Sequence, residues 1–195
     1  DVYKRQARGK RRAVEHRLDG PRVVAGNKVS LLVDGKRAFP AMLKAIEGAE
    51  SSIALATYIY ASDGTGTRFR DALVNKARQG VAVRVIMDGV GSLGTGEEFF
   101  KPLLSAGGRI LFYRPPKPWR PSWGFWRRDH RKILVVDDRI GFIGGLNIGD
   151  DYAPQEWGGR AWHDVHACVQ GPAARELTKL VNRTWYRFTQ EEWSN

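Results

Sequence analysis

A chain of 195 residues, 42% of them hydrophobic, can bury the core of one α/β domain and is too apolar to remain disordered. Its formal charge of +11 points toward a polyanionic partner, either nucleic acid or an anionic lipid surface. The single cysteine, Cys168, excludes an intrachain disulfide and a cysteine-based zinc site, and no apolar run reaches the roughly 18 residues needed to span a bilayer.

Residues 1–22 are rich in Arg and Lys and read as a basic tail outside the core. They begin at Asp1 without Met or an apolar signal segment, so a truncated or non-native start is expected. Residues 23–195 read as one domain. Val29 to Val33 is strand-like, and residues 37–49 place Phe39, Met42, Leu43 and Ile46 on one helical face. Ser52 to Tyr60 is a second strand. Residues 67–79 form a helix with Phe69, Leu73, Val74 and Ala77 inward, stopped by Gly80. Val81 to Met87 is a strand, 97–106 a helix, and Arg109 to Tyr113 a strand. This alternation predicts βαβ units and a mixed, largely parallel sheet between helical layers.

The pattern breaks over 114–129, where four prolines and four large aromatics mix with five basic residues. Two strands follow, Lys132 to Val136 and Ile140 to Ile143, joined by a tight turn. Residues 162–169 form a further strand, with Cys168 a small buried residue in it. Residues 172–186 form a helix with Leu177, Leu180 and Val181 inward.

The chemistry concentrates on the hairpin. Strand alternation points His130 and Lys132 to one face and turns Asp137 to the other. A turn centred on Asp138 and Arg139 pairs Asp137 with Ile140, which sets Lys132 opposite Gly145 and His130 opposite Asn147. Such a face suits a phosphodiester. Lys132 offers a compact charge to non-bridging oxygens, Asn147 an N–H donor, Gly145 room and a backbone N–H, and a neutral His130 a nucleophile. His-x-Lys alone is a common accident of sequence; the full spacing on an apolar hairpin is not.

The pattern His130-x-Lys132-x4-Asp137-x6-Gly144-Gly145-x-Asn147 resembles the H-K-D motif of the phospholipase D superfamily. The Gly-Gly form, preceded by Arg128 and Asp129 and followed by residues 148–152, is similar to the bacterial cardiolipin synthase branch. The likeness runs from about Gly26 to Arg187 and includes segments 41–49, 57–60, 80–92 and 162–166. It implies an α-β-α sandwich and a ping-pong reaction through phosphohistidine, with His130 as nucleophile. The family needs a carboxylate to hold that ring. Asp137 is the motif's own acid, but parity turns it away and makes it an anchor near the hairpin turn. Asp164 matches the family's acidic position on the strand after the Gly-Gly-x-Asn loop. The catalytic candidates are therefore His130, Lys132, Asp137 and Asp164, with Gly145 and Asn147 for phosphate.

The resemblance requires two motifs, and this chain has one. A missing C-terminal half or a homodimer would supply the second. The expected activity is phosphatidyl transfer from phosphatidylglycerol-type lipids. No cofactor or metal is implied. The partners would be an anionic phospholipid and a membrane surface, approached peripherally from the cytoplasmic face of the bacterial inner membrane. The alternative is a dimeric endonuclease acting on nucleic acid.

Other residues carry weaker signals. His163 and His166, three apart on a strand, face opposite sides and do not make a metal pair. Asp88 is balanced between a functional acid and a cap for the turn after it. The loop Gly89 to Gly94 departs from the nucleotide-binding fingerprint. The aromatic and basic segment from Trp119 to Arg128 suits a lipid headgroup region, single-stranded nucleic acid, or packing against a second half.

Overall fold

A computed structural model describes residues 24–116 and 127–192. The basic tail of residues 1–22 and the aromatic stretch 117–126 lie outside the described residues. Strand β1 (Lys28–Val33) leads into helix α1 (Asp34–Glu47), then β2 (Ser52–Thr57), α2 (Gly64–Arg78) and β3 (Ala82–Asp88). A single 3-10 turn, Glu97–Phe100, runs into the short helix α3 (Lys101–Ser105), so the helix expected over 97–106 is split. Strands β4 (Arg109–Tyr113), β5 (Ile133–Val136), β6 (Ile140–Gly144) and β7 (Val165–Gln170) follow, and α4 (Ala173–Thr189) closes the series.

The strands form one seven-stranded sheet in the order β1-β7-β6-β5-β2-β3-β4. Only β2–β3 and β3–β4 pair in parallel; the other four pairings are antiparallel. The expectation of a largely parallel sheet therefore holds for the βαβαβ part alone. The reason lies in the connections. The β5–β6 link is too short to cross over, so it must be a hairpin. β1, although joined to β2 through a helix, pairs at the far edge with β7.

Helices cover both faces, so the central strands read as nearly continuous apolar runs. On one face Phe39, Ile46, Phe69, Leu73 and Leu103 pack on Val85, Met87, Leu134, Val136 and Phe142. Each such side chain contributes roughly 1.5–3 kcal/mol by its burial. On the other face α4 lays Ala174, Val181 and Trp185 over Ala54, Ala56, Ile86, Ile133 and Val135. Leu180, expected inward, is 37% exposed, because the buried stripe of α4 runs Ala174, Thr178, Val181, Trp185 at helical spacing. Cys168 is half-buried beside the larger core, not enclosed in it.

Helix α2 starts at a built cap. Asp63 accepts from Gly66 N–H at 2.9 Å, and Asp150 accepts from Thr65 N–H at 2.8 Å and from its hydroxyl at 2.7 Å. The backbone N–H of Asp150 returns to the Asp63 carboxylate at 2.6 Å. This exchange locks the loop after Asn147 to the start of α2.

Candidate active site

One end of the sheet gathers the polar residues. The start of β5, the ends of β2, β3 and β6, and the start of β7 meet there. His130 and Lys132 precede β5. Asn147 follows β6, Asp164 and His166 stand at the start of β7, and Tyr58 follows β2.

Lys132 is 4% exposed, and its Nζ lies 3.1 Å from each His130 ring nitrogen and donates to the His130 carbonyl at 2.9 Å. An ammonium can only donate, so the ring nitrogen it meets must present a lone pair. Tyr58 flanks both residues. Its ring is 4.7 Å from the His130 ring and 5.3 Å from Lys132 Nζ. Among the described residues no carboxylate forms an ion pair with Lys132. Burial pushes its pKa down, while Asp164 and Asp129 pull it up from farther off.

His130 itself is exposed, and the segment carrying it is pinned on both sides. Asp88, fully buried at the end of β3, accepts from Val90 and Gly91 N–H, from Asp129 N–H at 3.0 Å and from Arg128 at 3.2 Å. It therefore caps its own turn and also anchors the approach to His130. Asp129 accepts from Arg131 Nε at 2.7 Å, and Arg131 reaches α4 at the Thr184 hydroxyl, 2.6 Å away. The loop Gly89 to Gly94 packs under Tyr58, where a β-carbon on Gly91 would overlap the Tyr58 carbonyl.

The hairpin register differs by one residue from the expected one. Val136 pairs with Ile140 and Ile133 with Ile143, so Lys132 falls opposite Gly144 and not Gly145. Asp137 explains the slip. Its N–H bonds to the Ser52 carbonyl at 2.9 Å, and it has φ 53°, so it stays with β2 and the loop has three residues. Asn147 then lies beyond the ladder and owes its place to the segment after β2. Its Oδ1 accepts from Ile59 N–H at 3.0 Å and its Nδ2 donates to the Tyr152 hydroxyl at 3.0 Å.

Asp137 sits at the other end of β5, five residues or ~16 Å from Lys132. Its carboxylate accepts from Glu50, Ser51 and Ser52 N–H and from the Ser51 hydroxyl, all at 2.8–2.9 Å. Desolvation pushes its pKa up, but those bonds together outweigh it and hold the carboxyl below the usual range. Although it names the motif, Asp137 has no reach to the site.

Gly145 does not offer a free N–H: it donates to the Val165 carbonyl at 3.0 Å. Its missing side chain makes room for the Asp164 carboxylate, which a β-carbon would overlap. Asp164 accepts from Val165 N–H at 2.6 Å and makes no hydrogen bond to His130. The strand expected from Trp162 begins only at Val165, because Asp164 N–H turns to the Asp34 carboxylate at 3.1 Å. His163 is exposed and also meets Asp34, at 2.7 Å.

His166, passed over in the sequence except as a metal candidate, is 1% exposed and lies against Gly144. Its Nδ1 accepts from Leu146 N–H at 3.4 Å. Burial pushes its pKa down to about 4, with Asp164 opposing and Lys132 assisting. The ring is therefore neutral and shares the electrostatics of the site. Tyr58 and Arg131 were likewise not singled out; only their contacts to His130 and Asp129 reveal them. Among the described residues no group of three or more His, Cys, Asp or Glu is placed to hold a metal ion.

Comparison with known proteins identifies the family. Residues 42–185 match the family model described as "Cardiolipin synthase, PLD-like domain". The chain belongs to that family. It is 40% identical over 156 residues to cardiolipin synthase 1 of Bacillus cereus, covering 80% of this chain and 30% of that protein. It is 35% identical over 176 residues to the cardiolipin synthase of Alkalihalophilus pseudofirmus, covering 90% of this chain and 35% of that one. The chain thus spans about a third of the length of these relatives. Among solved structures, Nuc of Salmonella typhimurium, a phospholipase D family member, superposes with a TM-score of 0.61. That match has 19% identity and covers 82% of this chain and 95% of that one, and it shows the shared α/β fold of the phospholipase D-like family. Among the described residues no helix is long and apolar enough to cross a membrane.

Proposed function

We propose that this cardiolipin synthase-family domain carries one half of a site for phosphatidyl transfer between phospholipids. The observation that carries the reading is the buried Lys132 ammonium, held against an exposed histidine ring and unpaired with any described carboxylate. Such a cation is stabilised by an incoming anion, and a phosphodiester brings one to His130.

In this reading a His130 ring nitrogen attacks phosphorus, and the P–O bond to the leaving glycerol breaks as the P–N bond forms. Lys132 moves from the ring to a non-bridging oxygen, and Asn147, fixed by Ile59 and Tyr152, supports the second. Asp164 turns from Gly145 to hold the protonated face of His130. A second motif supplies the acid that protonates the leaving alcohol. The phosphohistidine is then opened by a hydroxyl of the acceptor lipid, and the same acid, now a base, takes its proton. The second motif comes from a further part of a longer protein. The one-third coverage of the relatives supports that source over a homodimer. We place residues 23–195 as one domain working at an anionic membrane surface, on its cytoplasmic face.

The test incubates the intact protein with phosphatidylglycerol vesicles and, separately, with single-stranded DNA. Lipid turnover with a trapped phosphatidyl-enzyme that H130A abolishes is the expected result. DNA cleavage without lipid turnover, or an intermediate that survives H130A, overturns the reading.

A further inference from the structure

His130 and Arg131 are consecutive, with α-carbons about 3.8 Å apart, and their side chains leave the chain on opposite sides. His130 faces Lys132 and Tyr58. Arg131 faces α4 across a groove of about 360 Å³, within the size range of small-ligand sites. Among the described residues Arg128, Arg131, Arg183 and Arg187 line it, against a single carboxylate, Asp129, which is committed to Arg131. Arg128 is held by Asp88. Arg183 and Arg187 lie on successive turns of α4, and neither makes an ion pair or side-chain hydrogen bond among the described residues.

Arg183 and Arg187 are both exposed, as on a solvated helix face, but they share one groove with Arg128 and Arg131. Like charges at i and i+4 cost a helix roughly 0.2–0.5 kcal/mol. Here two further guanidinium groups line the same groove. Apolar side chains make up most of the remaining described lining: Tyr113 and Phe188 pack at 5.0 Å between ring centroids, Leu180 lies exposed beside them, and the Thr184 hydroxyl is taken by Arg131. Planar guanidinium forks suit phosphate oxygens, and an apolar rim suits the glycerol and first acyl carbons of a lipid.

We propose that this groove binds the phosphate of a second anionic lipid headgroup, beside the one that reaches His130. The assignment of the ligand as lipid rests on the phosphatidyl-transfer reading. It gives the two phosphates of a transfer between lipids separate seats on the two sides of one short segment, 128–131. Among the described residues the aromatic lining is the Tyr113–Phe188 pair, whose rings pack on one another, and Leu180 adds an aliphatic wall, which favours lipid over nucleic acid.

The experiment is a calorimetric titration of the 195-residue chain with dihexanoyl phosphatidylglycerol below its micelle concentration. Dihexanoyl phosphatidylcholine, inorganic phosphate and oligo-dT form parallel arms. R183Q/R187Q is compared with R37Q/R78Q, which removes the same charge from exposed positions on α1 and α2. The expected result is at least a tenfold loss of phosphatidylglycerol affinity, or loss of one equivalent, in R183Q/R187Q alone. Weak phosphatidylcholine and phosphate binding should accompany it. Equal losses in both double variants mean diffuse surface charge and overturn the proposal. So do unchanged phosphatidylglycerol binding, phosphate binding as tight as lipid, or an oligo-dT loss without a lipid loss. Circular dichroism confirms that each variant is folded. H130A should keep the groove's binding, so failure of the chemistry and failure of the groove are read separately.

Discussion

Replacing Asp137 by Asn separates the motif's name from its mechanism. Asn is isosteric and tolerates the positive φ of this position, so the change removes charge with little backbone strain. In the wild type one carboxylate oxygen accepts from Ser51 N–H, the Ser51 hydroxyl and Ser52 N–H, and the other accepts from Glu50 N–H. The amide keeps one acceptor but sets an NH2 group against Glu50 N–H. Bonds to a charged acceptor are worth about 1.5–3 kcal/mol and neutral ones about 0.5–1.5 kcal/mol. The site is partly exposed, so water makes up some of the loss, and D137N should cost about 1–2 kcal/mol in urea denaturation. That corresponds to a melting temperature lower by about 2–8 °C. Because the folded pKa is depressed, this stability is present above the unfolded pKa near 3.9 and disappears as pH falls through the folded value. The gap between wild type and D137N should therefore close below about pH 4. Phosphatidyl transfer per folded molecule in the intact protein should change by less than about twofold, against the ~10²–10⁴ expected of a general acid or base. A loss of transfer beyond about tenfold at unchanged urea midpoint would refute the anchor role.

The other predictions concern the opposite end of β5. Asp164→Asn should cut transfer strongly with little change in stability, the reverse of D137N; comparable rates for the two variants would remove Asp164 from the reaction. Gly144→Ala places its β-carbon 2.6 Å from the His166 α-carbon, a backbone clash, and should cost upward of about 2 kcal/mol in stability. Gly145→Ala meets the movable Asp164 carboxylate first, so it should fold and lose activity; an active G145A with a displaced Asp164 would contradict the role given to that acid. His166, with its pKa near 4, is held neutral, so the unfolded chain binds the extra proton between about pH 6.5 and 4. Stability should fall by up to about 3 kcal/mol as pH drops across that window and be fully present above it. His166→Asn, which keeps an acceptor for Leu146 N–H, should flatten that slope, and a slope that persists in urea titrations means another group carries it.

Local pattern was enough to mark the strands and helices and to find His130 and Lys132. Alternation and helical spacing are written residue by residue, and the buried faces of α1 and α2 follow them: Phe39, Met42 and Ile46, then Phe69, Leu73, Val74 and Ala77. The placing of His130 and Lys132 on one face needed only the two-residue repeat of an extended chain. What the sequence could not state was which strand each residue answers to. Asp137 reads as the last residue of a hairpin strand, but its N–H and carboxylate both bind the start of β2, and that contact, 85 residues away in sequence, slips the register. Asn147 reads as the partner of His130 and is instead fixed by Ile59. Tyr58, Asp88 and His166 fall in segments that share the family likeness, and Arg131 lies within the motif, but none of them shows its partner in the sequence; only the convergence of β2, β3, β5 and β7 at one sheet end makes them neighbours of the histidine. A one-dimensional period fixes which side a residue faces along its own strand; hydrogen bonds and charges between strands fix what it meets there.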